Sequence, residues 1–369
     1  MTSTRIALLS PYALSVFGGV QEQVLAMSRE LSRRGYDVLV VAPDGRDTTH
    51  YDTPARVRRF GSLLSVPANG SRAPLTLSPR AARHALQAVR DFKADLVHLH
   101  EPFAPLLGWG VLGAHEAPAV ATFHRSGGGP ALRLTRPLLA RLSRHVDVAA
   151  AVSTAAAATL RSATPLDPVI VFNGFETERF TAPPRERPAN TTIVTVGRLE
   201  ERKGTGYLIR AVRAHNARGG SQWRLVIIGD GPERSTLEAL AAHDDAVVFQ
   251  GALGDEQKRE WLRRASVVAA PATHGESFGL VVLEPMAAGV PVVASDIDGY
   301  REAASGHAVL ATPGDPLALE RALLSAIDLE TPERIAAARA HAQRWSMRAL
   351  MDEYELLYDR ARERFWSAR

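Results

Sequence analysis

Short apolar segments alternate with longer amphipathic segments along the whole chain, and this alternation limits the possible fold more than any other feature. Most of the apolar segments are unbroken, as expected of parallel strands buried on both faces, and the segments between them have the helical period. Alternating strands and helices predict parallel sheets joined by right-handed crossovers. The strands are predicted at residues 6–9, 38–42, 96–99, 120–123, 148–152, 193–196, 225–228, 247–249, 267–270 and 292–294.

A chain of 369 residues is long enough for two α/β domains. The stretch 181–190 is rich in Pro and charge, which indicates an exposed loop between them. We therefore expect an N-terminal domain over 1–172 and a C-terminal domain over 173–346. The last stretch is predicted to form a long amphipathic helix over 347–366.

The composition excludes several classes of site. The chain has no cysteine, so it has no disulfide framework and no thiolate ligand or nucleophile. No apolar run approaches the roughly 18–20 residues that span a bilayer, and the N-terminal residues do not resemble a signal peptide. No spacing of His, Asp or Glu resembles a metal site. These observations favour a cytoplasmic protein, and we expect no metal, no other cofactor and no nucleic-acid partner.

Charge is unevenly distributed between the two halves. Through residue 172 there are 19 Lys and Arg against 12 Asp and Glu, whereas the remainder is slightly acidic. A basic N-terminal half indicates an anionic partner there, either a phosphate-bearing substrate or an acidic lipid surface. A solvated basic face without a partner is the alternative interpretation.

Two glycines, Gly18 and Gly19, follow the first predicted strand and precede a helix. Glycines at such a turn let the backbone approach a phosphate, and the free amides of the helix N-terminus attract anions. The pattern is not GxGxxG, and no acidic residue ends the second strand, which disfavours a dinucleotide site. A tight turn without a ligand is the alternative.

Three histidines stand at the ends of two neighbouring predicted strands. His98 and His100 end one strand, and His124 follows the next. Ligands of open α/β sheets bind at the carboxyl ends of the strands. His124 is therefore a candidate for bonding sugar hydroxyls or a phosphate, although a structural role is equally compatible with the pattern, for His98 and His100 as well.

Two cations follow the first strand of the C-terminal domain. Arg198 and Lys203 stand at a strand end before a helix, in a chain with only three lysines. A guanidinium can bind two phosphate oxygens and an ammonium supplies a compact charge, so the pair suits a diphosphate. Both can stabilise the charge on a departing diphosphate. A solvated basic loop is the alternative.

The segment 275–284 carries two carboxylates, Glu276 and Glu284, around a glycine-rich turn. If the segment is helical, eight residues place them about 12 Å apart, which suits one ligand with hydroxyls at both ends and phosphates between. Glu276 would accept bonds from sugar hydroxyls and Glu284 would hold a ribose. The amides of the intervening residues would face sugar and phosphate. Those residues are Phe278, Gly279 and Leu280.

The motifs GRLEERKG and GESFGLVVLEPMAAGVPVVAS resemble the retaining glycosyltransferases of family 4, whose E-x7-E signature the second motif matches. The resemblance covers nearly the whole chain. It implies the GT-B fold: two Rossmann-like, doubly wound parallel-sheet domains that face a central cleft, the first completed by a C-terminal helix at 347–369. The segments PYALSVFGGV, LVHLHEPFAP and VATFH are most similar to actinobacterial phosphatidylinositol α-mannosyltransferases, which use GDP-mannose at the inner face of the plasma membrane.

This resemblance implies roles for individual residues. Gly19 would face the donor phosphate and the acceptor, and His124 would hold the transferred sugar. Arg198 and Lys203 would bind the diphosphate, Glu276 the sugar hydroxyls and Glu284 the ribose. The remaining implied residues are Asp255 and Lys258 for the guanine base, and Tyr12, Gly18, Gln21 and Arg72 for the acceptor.

The acceptor side departs from the mannosyltransferase pattern. Pro74 and Thr76 occupy positions where those enzymes carry two arginines, so Arg72 is expected to substitute. A second basic stretch, 133–145, could contact an anionic membrane or be an ordinary exposed helix.

The expected activity is metal-independent transfer of a hexose, mannose from GDP-mannose, to a phosphatidylinositol-type lipid at the membrane. The alternatives are a UDP- or GDP-sugar transferred to a small molecule, a nucleotide-sugar epimerase of the same fold, and a non-catalytic nucleotide-sugar binding protein.

Overall fold

The computed structural model describes residues 3–16, 18–43, 51–68, 71–104, 106–114, 116–125, 127, 130–181, 190–219, 221–276 and 278–367, with the backbone alone for 65–68, 71–73 and 130–133. Phe17, Ser277 and most of the predicted loop at 181–190 lie outside these residues. The chain divides into two compact units. Unit 1 comprises Met1–Gly174 and Met347–Arg369, and unit 2 comprises Phe175–Ser346.

Unit 1 contains a parallel sheet and an antiparallel hairpin. Its strands are β1 (Arg5–Leu9), β2 (Asp37–Pro43), β3 (Arg56–Phe60), β4 (Leu64–Ala68), β5 (Ser71–Leu75), β6 (Leu96–His100), β7 (Ala119–Phe123), β8 (Val148–Ala151) and β9 (Val169–Ile170). Seven of them form the parallel sheet in the order β3-β2-β1-β6-β7-β8-β9, and β4 pairs with β5 in the hairpin. The order reverses direction at β1 and β6, as in doubly wound folds.

Helices cover both faces of this sheet. They are α1 (Gly19–Arg33), α2 (Pro79–Asp91), α3 (Leu107–Leu112), α4 (Pro130–Leu142) and α5 (Thr154–Ala163), together with the last helix, named α13 below. In β1, Ile6 and Leu8 face one hydrophobic cluster, whereas Ala7 and Leu9 face another. Burial of both faces explains why the strand sequence is continuously apolar.

The last helix, α13 (Met347–Ser367), belongs to unit 1 and packs against α1 and the strands β7 and β8. Its apolar face is buried in the same cluster as β1 and α1, and it includes Leu350, Tyr354, Leu357 and Tyr358. The sequence prediction of a long amphipathic helix here is confirmed.

Unit 2 repeats the scheme with a six-stranded sheet. Its strands are β10 (Thr191–Val196), β11 (Trp223–Ile228), β12 (Val247–Gly251), β13 (Val267–Ala270), β14 (Val292–Ser295) and β15 (Val309–Ala311). All pairs are parallel, in the order β12-β11-β10-β13-β14-β15. Its helices are α6 (Thr205–Ala217), α7 (Arg234–Ala241), α8 (Asp255–Arg264), α9 (Leu280–Ala288), α10 (Asp298–Ala304), α11 (Pro316–Asp328) and α12 (Pro332–Gln343).

Each of the ten strands predicted from apolar runs is present. The elements that the sequence did not predict are mostly short or lie at sheet edges, where one face is solvated. The edge strand β3 has the sequence RVRRF and alternates between exposed and half-buried side chains, so it contains no apolar run to recognise.

Candidate functional site

The loops that follow β10 and β13 meet in unit 2, because these strands are neighbours and their carboxyl ends lie at the same edge of the sheet. Gly204, at φ +69°, ends a short turn at Glu201–Lys203. A Cβ atom there would lie 2.0 Å from the carbonyl oxygen of Pro271, so only glycine allows this approach. The Thr273 amide also donates to the Arg202 carbonyl at 2.8 Å. The two loops are therefore joined backbone to backbone.

Glu276 is the centre of an ion-pair cluster between these loops. Its Oε1 lies 2.7 Å from Lys203 Nζ and 2.7 Å from a terminal nitrogen of Arg202. Only 13% of the Glu276 side chain is exposed. One carboxylate oxygen thus contacts two cations, and both cations lie on the loop where the sequence predicted a diphosphate site.

Sequence reasoning missed three members of this cluster. Glu200 contacts Arg202 at 3.0 Å and Arg198 at 3.3 Å, so it links the predicted cation Arg198 to the cluster. The buried Tyr300 side chain lies near Glu276, and burial together with the Glu276 charge raises the pKa of Tyr300 well above its usual value. The acidic and basic residues of GRLEERKG were a visible signal for Glu200 and Arg202, but Tyr300 had none.

Residues 278–280 lead into the N-terminus of α9. Gly279 caps the helix at φ +77°, and Leu280 is its first residue. The first amides of a helix have no intrahelical acceptor, so they are available to an anion. The Phe278 ring is buried edge-on against Trp345, with the ring centroids 5.2 Å apart. Its side chain therefore packs within unit 2.

One sequence inference needs correction here. The separation of about 12 Å between the two carboxylates assumed that residues 276–284 form a continuous helix. The helix begins at Leu280, and Gly279 adopts the left-handed conformation. Glu276 therefore lies on the loop and only Glu284 on the helix.

Glu284 belongs to a second cluster, with Lys258 and Asp255 on α8. Lys258 Nζ lies 3.2 Å from Glu284 and 3.8 Å from Asp255. The same ammonium lies 5.8 Å from the centroid of the Phe180 ring. The packing of α8 against α9 thus brings together three residues that the sequence separates by up to 29 positions.

In unit 1, His124 follows β7 and is held through its backbone. The Glu101 carboxylate accepts the amide hydrogens of His124 and Arg125. Glu101 is buried with φ +43°, and burial raises the pKa of its carboxyl. On the side chain, Nε2 of His124 lies 2.9 Å from Nδ1 of His100. Sequence reasoning did not identify Glu101, although it stands within LVHLHEP.

The predicted acceptor residues next to α1 are close in sequence but differ in environment. Gly18 precedes the helix in an extended conformation, and Gly19 is exposed. Gln21 is buried and donates to the Ala13 carbonyl at 3.4 Å. The Tyr12 side chain is half-buried, and burial raises its pKa, with the Glu101 charge adding to the effect.

The hairpin that carries Arg72 shows how this chain departs from the arginine pattern. Arg72 lies on β5 opposite Pro67, and its side chain lies outside the described atoms. Thr76 is 1% exposed, and its hydroxyl has no hydrogen-bond partner among the described residues. The Thr76 side chain packs so close to Gly61 that a Cβ there would lie 2.4 Å from its Oγ1. Thr76 is therefore a core residue.

The second basic stretch forms α4 and the turn after it. Arg136, Arg141 and Arg144 are exposed, and so are Leu134 and Leu138 on the same helix. Among the described helices, none is both long and apolar enough to cross a membrane. The described side chains of His, Cys, Asp and Glu include no group of three that could hold a metal ion.

Comparison with known proteins identifies the family. The model for "Glycosyltransferase Family 4" matches residues 17–179, and the model for "Glycosyl transferases group 1" matches 190–328. A phosphatidyl-myo-inositol mannosyltransferase from Mycobacterium leprae is 34% identical over 366 residues, which cover 95% of this chain and 96% of that protein. The chain belongs to glycosyltransferase family 4.

Other similar proteins are more distant but still cover most of the chain. A GDP-mannose-dependent alpha-mannosyltransferase from Mycobacterium tuberculosis is 29% identical over 83% of both chains. Among solved structures, sucrose-phosphate synthase from Thermosynechococcus elongatus has a TM-score of 0.76 at 20% identity, covering 99% of this chain and 100% of that one. The GT-B fold and the glycosyltransferase activity expected from the sequence are both confirmed.

Proposed function

We propose that this family 4 glycosyltransferase moves mannose from GDP-mannose to a phosphatidylinositol-type lipid, with retention of the anomeric configuration. The observation that carries the proposal is the contact of Glu276 with Lys203 and Arg202 at the N-terminus of α9. Cations, helix amides and a carboxylate for hydroxyls converge there, as a sugar diphosphate requires. The names of the mannosyltransferase relatives support mannose and the lipid.

The donor binds along unit 2 in this proposal. Lys203 and Arg198 bind the diphosphate, and Glu276 accepts hydrogen bonds from the sugar hydroxyls. At the other end, Glu284 holds the ribose. Asp255 accepts from the guanine N1–H and amino group, with Lys258 beside it, and this pairing favours GDP over UDP.

The chemistry is departure of the diphosphate followed by attack on the same face. The bond from the anomeric carbon to the diphosphate oxygen breaks, and a bond to the acceptor oxygen forms. The acceptor proton passes to the leaving phosphate oxygen. Lys203, Arg198 and the amides of Phe278, Gly279 and Leu280 stabilise the charge that develops on the diphosphate. The chain's own cations and amides supply this stabilisation, so the proposal includes no metal and no cofactor.

The family resemblance assigns the remaining roles to residues of unit 1. His124 holds the transferred sugar near its reacting carbon, and Gly19 leaves space for the donor phosphate beside the acceptor. Tyr12, Gly18 and Gln21 face the acceptor, with Arg72 supplying a positive charge. The basic N-terminal half draws the protein to an anionic membrane, on the cytoplasmic side.

A soluble acceptor is the second candidate, and the environment of Thr76 favours it. Thr76 is buried and uncharged where the mannosyltransferase pattern has an arginine, so one cation for a lipid phosphate is missing. A small hydroxyl compound would need fewer such cations. Because this difference lies on the acceptor side, the proposed donor chemistry is the same for both acceptors.

The first experiment is a thermal-shift panel of GDP, UDP and ADP, each also as its sugar conjugate. We expect the largest stabilisation with GDP and GDP-mannose. A larger shift with UDP would contradict the base assignment. Turnover of GDP-mannose without any acceptor would indicate an epimerase, and a shift without GDP release under any condition would indicate a binding protein.

The second experiment tests the acceptor with GDP-mannose labelled in the sugar. Three acceptors are compared: phosphatidylinositol in phosphatidylglycerol vesicles, phosphatidylinositol in neutral detergent, and a soluble inositol phosphate. We expect label in the lipid, at a higher rate in the anionic vesicles. Transfer to the soluble inositol phosphate alone would replace the lipid with the second candidate.

A further inference from the structure

Three histidines form a column of adjacent rings in unit 1. His98 and His100 are two residues apart on β6, so they lie on the same face of the sheet. The ring centroids of His98 and His100 are 4.6 Å apart, and those of His100 and His124 are 5.2 Å apart. The column connects the interior of unit 1 to the histidine that the proposed function assigns to the sugar.

The inner end of the column is fully hydrogen-bonded. His98 uses both ring nitrogens: Nδ1 lies 2.9 Å from the Tyr358 hydroxyl, and Nε2 lies 2.8 Å from the Thr122 hydroxyl. Thr122 is in turn 2.8 Å from the Tyr354 hydroxyl. Two side chains of α13 thus fix the first ring, and stacking on it orients the second.

His100 has one bonded and one unbonded nitrogen. Nδ1 lies 2.9 Å from Nε2 of His124, whereas Nε2 is buried and has no partner among the described residues. Burial lowers the pKa of His100 well below its usual value, so the ring is neutral and carries one proton. If the proton were on Nε2, a buried N–H group would lack an acceptor, which proteins tolerate less than a buried acceptor without a donor. The proton therefore belongs on Nδ1.

The state of His124 follows from that of His100. If Nδ1–H of His100 donates to Nε2 of His124, then His124 must carry its own proton on Nδ1. His124 is half-buried, and no described residue forms a hydrogen bond with its Nδ1. This N–H group is therefore available to a ligand.

We propose that His100 is a positioning residue that holds His124 as a neutral Nδ1–H donor, aimed at an oxygen atom of the transferred sugar. The identity of the ligand rests on the proposed function, but the proton positions do not. Ligand-bearing histidines in proteins are commonly oriented in this way by a second group on the other ring nitrogen.

Two variants of similar size test the positioning role. In His100→Asn the amide lies near the former Nδ1 and can still donate to His124, whereas in His100→Gln it lies near the former Nε2. We expect His100→Asn to keep kcat within about threefold of wild type, and His100→Gln to lose about tenfold or more. Equal activity of His100→Gln and wild type would overturn the proposal.

The proton positions can be measured without substrate by long-range ¹H–¹⁵N correlation spectra of the full chain labelled in histidine. We expect the Nδ1–H pattern for His124, assigned by its loss in His124→Ala, and a mixture of tautomers in His100→Gln. A wild-type His124 with its proton on Nε2 would refute the inference. If the proposed function is wrong instead, the wild type will not transfer sugar although the Nδ1–H pattern is present.

Discussion

The ammonium group of Lys203 contacts Glu276 Oε1 at 2.7 Å, and Arg202 contacts the same oxygen at the same distance. A diphosphate that binds Lys203 must therefore compete with a carboxylate. Because Arg202 is also paired with Glu200, it can keep Glu276 in place when Lys203 turns to the phosphate. Glu276 would then remain an acceptor for sugar hydroxyls, and the first two predictions follow from this exchange of partners.

Lys203→Ala is expected to lower kcat/KM by more than tenfold, or about 1.4 kcal/mol of transition-state stabilisation. The reason is the loss of a compact charge beside the departing diphosphate. The measurement is steady-state GDP release. Arg264→Ala is the matched control, because Arg264 is an exposed cation on α8 that pairs with Glu260. An unchanged rate for Lys203→Ala would remove Lys203 from the phosphate site.

Glu276→Gln is expected to lower kcat by roughly 100-fold or more, with the fold intact by circular dichroism. Affinity for free GDP should stay within about threefold of wild type or increase, because the substitution releases Lys203 from its ion pair. Calorimetry with GDP separates these effects, and Glu238→Gln, an exposed pair with Arg234, is the control. Near-normal turnover would argue against the role in binding hydroxyls.

Glu284→Gln is expected to weaken GDP binding about tenfold, since a hydrogen bond to a charged group contributes about 1.5–3 kcal/mol. A 2′,3′-dideoxy analogue of GDP should lose the same binding free energy with the wild type. With the variant, the analogue should bind almost as well as GDP does, and the four measurements give a double-mutant cycle for the ribose contact. Glu256→Gln, exposed on α8, should bind GDP as the wild type does. Additive losses would show that Glu284 does not touch the ribose.

The strand-end loops of unit 2 could be predicted from sequence, because parallel strands bring their carboxyl ends to one edge. The pairing of the cations with Glu276 within these loops could not be predicted. Arg198, Arg202 and Lys203 are similar cations in one short segment, and the turn closed by Gly204 decides which of them face Glu276. Glu284 and Lys258 were predicted individually, but their contact depends on how α8 packs against α9.

The histidine column shows the same limit in unit 1. The two-residue spacing of His98 and His100 predicts a shared face of the sheet. Contact with His124 depends on the register that pairs His100 with Thr122, which no local pattern specifies. Tyr358 bonds to His98 and Tyr354 bonds to Thr122; both tyrosines lie on α13, more than 200 residues away in sequence.

Arg34→Met is expected to destabilise unit 1 by about 2 kcal/mol, since hydrogen bonds to charged groups are lost. The guanidinium bonds to Glu30 at 2.9 Å, Glu355 at 2.8 Å and the Arg348 carbonyl at 2.7 Å, and it thereby ties α13 to α1. Urea unfolding measures the loss. Arg33→Met is the control, because Arg33 also pairs with Glu30 but is half exposed, and its loss should cost less than about 1 kcal/mol. Equal effects would mean that the link to α13 contributes nothing.

The histidine column should make stability depend on pH below neutrality. Burial, together with the nearby His124, lowers the pKa of His98 to about 3. In the unfolded chain a histidine titrates near 6.5. Between these values the unfolded state binds a proton that the native state does not, so stability is fully present above about pH 6.5 and is lost as the pH falls.

The slope for one such histidine is about 1.4 kcal/mol per pH unit. Other charged groups lie around the column. Glu101 has a raised pKa, so its protonation increases stability as the pH falls, opposite to the effect of His98, and the Arg125 charge lies nearby. The test is therefore a difference in slope between wild type and His98→Asn, from urea unfolding at pH 7.0, 6.0 and 5.5. We expect the variant to be less stable at pH 7 but less sensitive to acid. His84→Asn, an exposed histidine on α2, is the control, and parallel slopes for wild type and His98→Asn would show that His98 does not stay neutral in the native protein.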